Sequence, residues 1–322
     1  MLFSVLMAHF NNARFLEDSL KSVFDQTYTN WEIVIVDDGS TDGFENVIGN
    51  YKNDDRIKVF RNGKNRGTAY TKATCIEKAS GEIQGFLDPD DLLHPDALQI
   101  MVDAHVEMPS CSIIHSTHYI CDDKMNIIKV APYPKPLPEN TPYLLVGDGS
   151  IHHFVSYKKS SFNKSPGLSP IRAFDKSSDQ ELYYILEEQG DIFFINKPLH
   201  YYRIHQGSIS NNSNVAIATI QHYDIIEKIC LRRIQELKSS HKADAAYWIK
   251  RYKTRYYKIR IFNSFRKKQW GQFIISLVMF PFVGGMQNLI SYAKKLPQEG
   301  MTLVKKSFVD NPQILDLQKS DK

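Results

Sequence analysis

Carboxylates are concentrated in the segment Asp88-Pro89-Asp90-Asp91, which holds three of them in four residues. Like charges at this spacing repel one another, and a hard divalent cation would offset that repulsion. Proteins hold Mg²⁺ or Mn²⁺ with one or two carboxylates together with substrate phosphates. Asp and Pro also favour solvated turns that cap helices. The segment therefore indicates either a metal–phosphate site or an acidic turn, and its place after an apolar run favours the metal site.

A second acidic segment, Asp37-Asp38-Gly39-Ser40-Thr41-Asp42, directly follows another apolar run. A carboxylate at this place could accept an N–H from a nucleobase or a hydroxyl from a ribose. The same residues also form a common Asp-Gly turn. Taken alone, this segment leaves nucleotide binding and a simple turn equally open.

The elements that must position these segments follow from the hydrophobic pattern. Apolar runs alternate with helical periodicity along the first 119 residues. The pattern predicts strands at 2–7, 31–36, 57–60, 83–87 and 112–119, and helices at 12–26, 44–51, 68–79 and 94–107. Such alternation is typical of an α/β fold with a mostly parallel, Rossmann-like sheet and helices on both faces. Ligands bind such sheets outside the carboxyl ends of the strands, so both acidic segments should face one crevice.

The rest of the chain divides at a polar stretch. A proline-rich loop is predicted at 132–142, a strand at 154–157, a helix at 178–189, and short strands at 192–195 and 199–203. The Ser- and Asn-rich residues 207–214 are the best domain boundary. Helices are predicted beyond it, at 217–237 and 245–265. We therefore predict a catalytic domain at 1–210 and a helical, basic C-terminal region at 215–322.

The C-terminal region is strongly basic. Residues 245–298 hold eleven Lys or Arg and no Asp or Glu, while the rest of the chain carries 29 basic and 36 acidic residues. Residues 273–292 carry no charge, but interspersed polar residues and two glycines dilute them. An interfacial helix with basic flanks on anionic lipid therefore fits better than a span, although a helical subdomain and a span stay open. The uncharged stretch favours lipid over nucleic acid as the partner.

The N-terminus and the cysteines indicate the compartment. No basic segment precedes the apolar residues 1–8, so we expect no signal peptide. Four cysteines without a CxxC pair give neither a disulfide framework nor a zinc ribbon. The expected location is the cytoplasm, peripheral on the inner face of the cell membrane.

The chain resembles the family 2 glycosyltransferases of the GT-A fold over about residues 1–210. One such motif is weakly specific, but the ordered set is highly specific. The motifs are Phe10-Asn11, Ser22-Val23, Gln26-Thr27, the run Glu32 to Ser40, Gly81-Glu82, the segment 88–91, Asp179-Gln180-Glu181-Leu182 and Tyr201-Tyr202-Arg203-Ile204-His205.

The resemblance implies an inverting transferase with a nucleotide-diphosphate-sugar donor, commonly a UDP-sugar. Asp38 matches the carboxylate that binds the base, and Asp88 and Asp90 match the pair that contacts the ribose and the metal-bridged diphosphate. Asp91 matches an additional carboxylate that often follows. On this basis Asp90 and Asp91 are expected metal ligands for Mg²⁺ or Mn²⁺, and Phe10, Asp38 and Asp88 are expected to bind the nucleotide sugar.

Three further basic residues are candidates. Lys72 stands where relatives often carry an Arg near the nucleotide, although most lysines on helices are only solvated. Arg203 offers a two-pronged donor to the departing diphosphate, and His205 could donate to phosphate or bind the metal. Arg203 and His205 could also be ordinary surface residues.

Asp179 matches the family's general base. It lies in the first turn of a predicted helix in register with Leu182 and Leu186, and the helix N-terminus favours its ionised form. An inverting transfer needs one carboxylate opposite the leaving group to take the acceptor's proton. An acidic first-turn residue that only stabilises its helix is the alternative. Many relatives carry Glu before this Asp, whereas Ser178 stands here as a helix cap.

Several histidines are weaker candidates. His152 and His153 are adjacent, and neighbouring residues on a strand point to opposite faces, so we expect no shared site. His115 and His118 are read as strand residues without a special role.

The expected function is transfer of a sugar to a hydroxyl of a glycan or lipid-linked acceptor in cell-surface polysaccharide synthesis. A metal-dependent nucleotidyltransferase or phosphatase, and a nucleotide-sugar-binding protein without turnover, are the alternatives. A phosphatase with an Asp nucleophile would carry its acidic motif after the first strand, where His9-Phe10-Asn11 stands. Neither the sugar nor the linkage follows from the sequence.

Overall fold

The computed structural model describes residues 1–146, 149–168, 178–205 and 214–285. These residues form two compact units that divide after His205. The polar stretch that predicts the domain boundary, 207–214, lies almost wholly outside the described residues.

The first unit begins with alternating strands and helices, as predicted. Its first seven elements are β1 (Phe3–His9), α1 (Ala13–Phe24), β2 (Trp31–Asp37), α2 (Phe44–Gly49), β3 (Ile57–Arg61), α3 (Thr68–Lys78) and β4 (Ile83–Phe86). The four strands pair in the order β3-β2-β1-β4, and every pairing among them is parallel. The predicted α/β architecture with a Rossmann-like parallel sheet is confirmed here.

The sheet then continues with strands of both directions. The following elements are β5 (Leu92–Leu93), α4 (Ala97–Glu107), β6 (Cys111–Cys121), β7 (Ile127–Val130), α5 (Tyr143–Val146), β8 (Val155–Lys158), α6 (Lys159–Lys164), α7 (Ser178–Leu186) and β9 (Asp191–Arg203). β8 lies antiparallel between β4 and β6, and β9 runs parallel to β6. The two short strands predicted at 192–203 are one strand, β9, whose register shifts along β6.

The core of this unit is built on β1 and β2. Nearly every residue of both strands is buried, which explains their continuous apolar sequences. Leu16, Leu20 and Val23 recur at helical spacing and place the apolar face of α1 against the sheet. Burial of each such side chain contributes about 1.5–3 kcal/mol. This packing holds the strand ends, and hence the site, in place.

Gly81 allows β4 to lie beside β1. A Cβ at this position would come within 2.6 Å of the Leu2 carbonyl oxygen and 2.8 Å of the Ser4 backbone nitrogen. Any larger residue would therefore push the start of β4 away from its neighbour. β4 ends directly before the acidic segment 88–91, so this close approach sets the position of the carboxylates.

The second unit is helical in its described part. It contains α8 (Asn214–Lys238), α9 (Ala245–Arg266) and α10 (Trp270–Gly284), and α9 packs against both other helices. Among the described residues, no helix combines the length and the apolar character needed to cross a membrane. Residues 286–292 of the uncharged stretch, and Lys294 and Lys295 beyond it, lie outside the described residues.

The four cysteines, of which three lie in the first unit and one in the second, are free and buried.

Candidate active site

The carboxyl ends of β1, β2 and β4 meet at one edge of the sheet, because the three strands are parallel neighbours. There the Asn11 N–H donates to Ser40 Oγ over 2.9 Å, and Asn11 Oδ1 accepts from the Thr41 N–H over 2.9 Å. Asn11 has a φ of 50°, a conformation that Asn tolerates better than most residues. The loop is thereby fixed and Phe10 is left 45% exposed, so its ring is open to a ligand.

Asp38 lies buried at the end of β2 and orders the loop that leads into α3. Oδ1 accepts from Asn62 Nδ2 over 2.7 Å and from the Arg66 N–H over 2.9 Å, and Oδ2 accepts from the Gly67 N–H over 2.8 Å. A carboxylate offers about four acceptor positions. Among the contacts of the described residues, one position on Oδ2 remains for a nucleobase or ribose, and base binding by Asp38 stays a prediction.

Lys72 joins two carboxylates that are far apart in the sequence. Its Nζ lies 2.7 Å from Asp179 Oδ1 and 3.6 Å from Asp88 Oδ1. Burial of the ammonium would lower the pKa of Lys72, but the charges of Asp179 and Asp88 outweigh burial and raise it. Burial would likewise raise the pKa of Asp88, and Lys72 with two nearby histidines lowers it instead. Lys72 is therefore a buried cation between two carboxylates rather than a solvated helix lysine.

Asp90 and His205 form a direct contact, with 2.8 Å between Asp90 Oδ2 and His205 Nε2. Arg14 Nη2 lies 3.1 Å from His205 Nδ1. A guanidinium can only donate, so Nδ1 accepts and Nε2 carries the proton donated to Asp90. Both side chains are mostly buried. Asp90 and His205, both predicted from the sequence as site residues, are therefore in contact although 115 positions separate them in the chain.

Asp91 points away from Asp90 into the protein. Oδ1 accepts from the Arg203 N–H over 2.8 Å, and Oδ2 lies 2.9 Å from His200 Nε2. Burial and the charges of Asp90 and Asp88 raise the pKa of Asp91 well above its usual value. These contacts favour a role in holding β9 against the acidic turn. Metal ligation by Asp91 stays a prediction.

Arg203 is 4% exposed, and its buried guanidinium donates hydrogen bonds to backbone carbonyls, including one in the acidic turn, residues 88–91. Nε donates to the Asp90 carbonyl over 2.7 Å and Nη1 donates to the Asp123 carbonyl over 2.8 Å. These contacts fix the backbone that carries Asp90. That Arg203 also reaches a diphosphate stays a prediction.

The acidic turn offers donors that suit a divalent cation. Asp88 and Asp90 remain partly exposed and supply the oxygen donors that Mg²⁺ and Mn²⁺ prefer. His205 would add an imidazole nitrogen only after its proton moves from Nε2 to Nδ1, which ends the contact with Arg14. Within the described ranges, no three His, Cys, Asp or Glu side chains stand ready around one point. The residues therefore fit a cation whose remaining ligands come from substrate phosphates and water, rather than a closed protein cage.

A small cavity opens beside Asp179. It is lined by Phe86, His153, Val155, Tyr157, Asp179, Leu182 and Tyr183. Phe86 ends β4 two residues before Asp88, so its position could have marked it as a lining residue. Tyr183 lies one turn after Asp179 on α7, so its spacing could have marked it too. His153 carries no local signal of this kind, because only the long-range pairing of β8 brings it to Asp179. The Asp179 carboxylate therefore borders a cavity that is otherwise lined mainly by aromatic and aliphatic side chains.

The expectation that His152 and His153 point apart is wrong. Both precede β8 rather than lying in it, and their rings are 4.8 Å apart. They join a buried group in which His118 stacks at 5.0 Å on His152 and His153 stacks at 5.0 Å on His200. Burial lowers the pKa of His118 to about 2 and that of His200 to about 4, so these rings are neutral.

Comparison with known families and proteins bears on this site. Residues 4–165, which are 162 of the 322 residues, match the family described as Glycosyl transferase family 2. An uncharacterized glycosyltransferase of Nostoc sp. is 29% identical over 227 residues, covering 68% of this chain and 69% of that protein. The chondroitin synthase of Escherichia coli is 26% identical over 228 residues, which cover 70% of this chain and 32% of that larger protein.

Solved structures share the fold. Residues 1–349 of S. aureus TarS in complex with UDP-GlcNAc superpose with a TM-score of 0.63 at 19% identity, covering 88% of this chain and 82% of that chain. The mannosyltransferase PcManGT of Pyrobaculum calidifontis, solved with GDP-Man and Mn²⁺, superposes with a TM-score of 0.53 at 14% identity. It covers 94% of this chain and 80% of that chain. At these identities the likeness shows the fold alone.

Proposed function

This chain belongs to glycosyl transferase family 2 and is a glycosyltransferase of the GT-A fold, and we propose that it inverts the anomeric centre of the sugar it transfers. The observation that carries this proposal is the joining of Asp88 and Asp179 by Lys72. A carboxylate of the acidic turn and the expected base thus lie next to the same cation. A sugar diphosphate bound at the turn would therefore present its anomeric carbon towards the base.

In the proposed step Asp179 takes the proton from the acceptor hydroxyl. The acceptor oxygen forms its bond to the anomeric carbon from the side opposite the diphosphate, and the bond to the phosphate oxygen breaks. Lys72 neutralises Asp179 in the free protein, because the ammonium lies at 2.7 Å. The negative diphosphate would compete for this ammonium and leave the carboxylate free to accept a proton. Donor binding would thus prepare the base.

We propose Mg²⁺ or Mn²⁺ as the cofactor, held by Asp90 with Asp88. His205 would join them through Nε2 once its proton moves to Nδ1 and Arg14 is released. The chemistry that the cation would supply is neutralisation of the charge on the leaving diphosphate. Asp91 and Arg203 would act through the backbone, since they bond the acidic turn to β9. Mn²⁺ in the structure of the similar mannosyltransferase supports this proposal.

We propose a UDP-sugar as the donor, with Phe10 and Asp38 contacting the nucleoside. The exposed ring of Phe10 and the remaining acceptor position of Asp38 support this part. The UDP-GlcNAc complex of the similar TarS chain agrees with it. The acceptor would be a glycan or lipid-linked glycan of the cell surface, in keeping with relatives named for chondroitin and teichuronic acid synthesis.

We also propose that the protein works at the anionic inner face of the cell membrane, attached by its basic C-terminal region. Residues 245–298 carry eleven positive and no negative side chains, which supports attraction to anionic lipid. The family assignment identifies the chain as a glycosyltransferase. It therefore argues against the alternatives of a nucleotidyltransferase or phosphatase and of a binding protein without turnover.

The test is Asp179→Asn assayed with a panel of nucleotide sugars. The variant should bind UDP at least as tightly as wild type, because the diphosphate no longer competes with the Asp179 charge for Lys72. It should lose about 10²-fold or more of turnover, the usual effect of losing a general base. Asp103→Asn, an exposed carboxylate on α4, is the matched control and should keep full turnover. Near-normal turnover of Asp179→Asn, or retention of the anomeric configuration in the product, would refute the proposed mechanism.

A further inference from the structure

A row of large apolar side chains faces solvent along α10. Ile274, Ile275 and Val278 are 60%, 61% and 54% exposed, and Phe282 is 81% exposed. Met279 lies beside them and is also exposed. At 100° per residue these five side chains occupy one arc of roughly 140°. We call them the α10 stripe.

The α10 stripe is not the packing face of the helix. Ser276 and Phe280 lie on the opposite side and are buried, and Phe280 packs with Ile261 of α9. Phe273 and Leu277 join that cluster. The contact with α9 therefore already satisfies one apolar face, and the α10 stripe is a second one that no described element of the helical unit covers.

The charges around the α10 stripe specify its partner. Residues 245–285 carry nine Lys or Arg and no Asp or Glu. Lys268 is exposed in the turn before α10, and Trp270, at the first turn of the helix, is 55% exposed. An apolar stripe beside Trp and positive charge is typical of a helix at the interface of an anionic bilayer. Pairing with a second copy would instead bring two strongly positive surfaces together.

We propose that α10 lies in the plane of an anionic membrane with the α10 stripe inserted among the lipid chains. The proposal rests on the membrane attachment proposed above and names the surface that makes it. It is independent of the sugar chemistry. α10 has 15 residues, which is shorter than the roughly 20 that a membrane-spanning helix needs.

The test uses full-length protein and vesicles of phosphatidylcholine with or without phosphatidylglycerol. Wild-type protein should co-sediment with the anionic vesicles, and salt should weaken this binding without abolishing it, because apolar burial is not screened. Phe282→Glu and Ile275→Glu should each reduce vesicle binding by about tenfold or more. Leu231→Glu is the matched control, since Leu231 is 48% exposed on α8 of the same unit. It should bind as wild type does.

A second measurement reports insertion directly. Brominated lipid should quench the fluorescence of the wild-type protein, and Trp270→Phe should remove most of that quenching. The affinity for UDP in the absence of vesicles should be equal in all these variants. If none of them binds UDP, the proposed donor site fails while the vesicle results still stand.

Four results would overturn the inference. The first is that wild-type protein is not retained on anionic vesicles at low salt, and the second is that Phe282→Glu binds them as tightly as wild type does. Loss of a dimer in Phe282→Glu without vesicle binding would make the α10 stripe a contact between copies. A fall in melting temperature in both stripe variants without vesicle binding would mean that residues 286–322 cover the α10 stripe.

Discussion

At the scale of single residues, the proposed proton transfer to Asp179 depends on which groups the Lys72 ammonium contacts. The ammonium is almost fully buried and pairs with Asp179 at 2.7 Å, so it compensates a carboxylate that would otherwise repel Asp88. Such charge-assisted contacts contribute about 1.5–3 kcal/mol each. When a diphosphate binds, its phosphate oxygens would replace one of the two carboxylates that contact Lys72. In the proposed mechanism, Lys72 would therefore affect both the affinity for the donor and the freedom of Asp179 to accept a proton.

We expect Lys72→Met to raise the KM for the donor about tenfold or more, because the variant loses a charge-assisted contact to the diphosphate. Its kcat should fall as well, since Asp88 and Asp179 then face each other without a cation. Lys72→Arg should recover part of both values because it keeps the charge. Steady-state kinetics with purified variants gives this comparison. A Lys72→Met enzyme with unchanged KM would show that the lysine does not meet the donor.

The acidic turn allows a second residue-scale prediction, which separates chemistry from support. Asp90→Asn should keep its melting temperature and lose metal-stimulated transfer, because an amide lacks the charge that holds a cation. Asp91→Ala should instead unfold more easily, by about 1–3 kcal/mol for each buried partner left unpaired. Its partners are the Arg203 N–H and His200. Thermal melts and EDTA-controlled assays of both variants distinguish the roles, and equal melting losses would contradict the distinction.

Motifs could predict the residues of the site but not their contacts. Asp88, Asp90 and Asp179 stand in short patterns that can be read directly from the sequence. The pairing of Lys72 with Asp179 spans 107 positions and depends on how α7 packs near α3. His153 reaches the cavity only because β8 inserts beside β4. Such contacts follow from tertiary packing, which the periodicity of a local sequence does not predict.

At the scale of elements, local pattern is strongest where a strand is buried on both sides. β1, β2 and β4 are short apolar runs bounded by turn residues, and the sequence predicts all three. β5 has only two residues, and β7 has three apolar residues in four although it is exposed throughout, so neither shows the length or the alternation that identifies a strand. The antiparallel position of β8 between β4 and β6 could not be predicted either, because the sequence of a strand does not show which strands it pairs with.

The start of β9 gives an element-scale prediction. Gly190 precedes it, and a Cβ there would clash with the Ser110 carbonyl oxygen and lie 3.0 Å from the Ser112 nitrogen. We expect Gly190→Ala to lower the free energy of unfolding by about 1–3 kcal/mol, because β9 must move away from β6. Gly49→Ala is the control, since Gly49 ends α2 with nothing within 4 Å. It should be neutral or slightly stabilising, as Ala is the better helix former. Urea unfolding of both variants makes the comparison, and equal stabilities would show that the strand start yields freely.

At the scale of the whole molecule, buried histidines connect the fold to pH. Burial lowers the pKa of His105 and of His115 to about 3, and that of His200 to about 4. In the unfolded chain a histidine takes up a proton near pH 6.5. The unfolded state therefore binds more protons than the folded state below that pH. Stability is complete above about pH 6.5 and is lost progressively as the pH falls towards the folded-state values.

His115 isolates one part of this effect. It is fully buried 5.0 Å from Phe194, and neither ring nitrogen has a hydrogen-bond partner in the part of the chain that the structure describes. At about 1.4 kcal/mol per pH unit, its share of the stability lost between pH 6.5 and pH 5 is about 2 kcal/mol. His115→Phe keeps the ring shape and cannot be protonated, so it should remove that share and be at least as stable as wild type at pH 7. Urea titrations at both pH values measure the difference. If the variant and the wild type lose equal stability on acidification, His115 either titrates normally in the folded protein or is not buried as described.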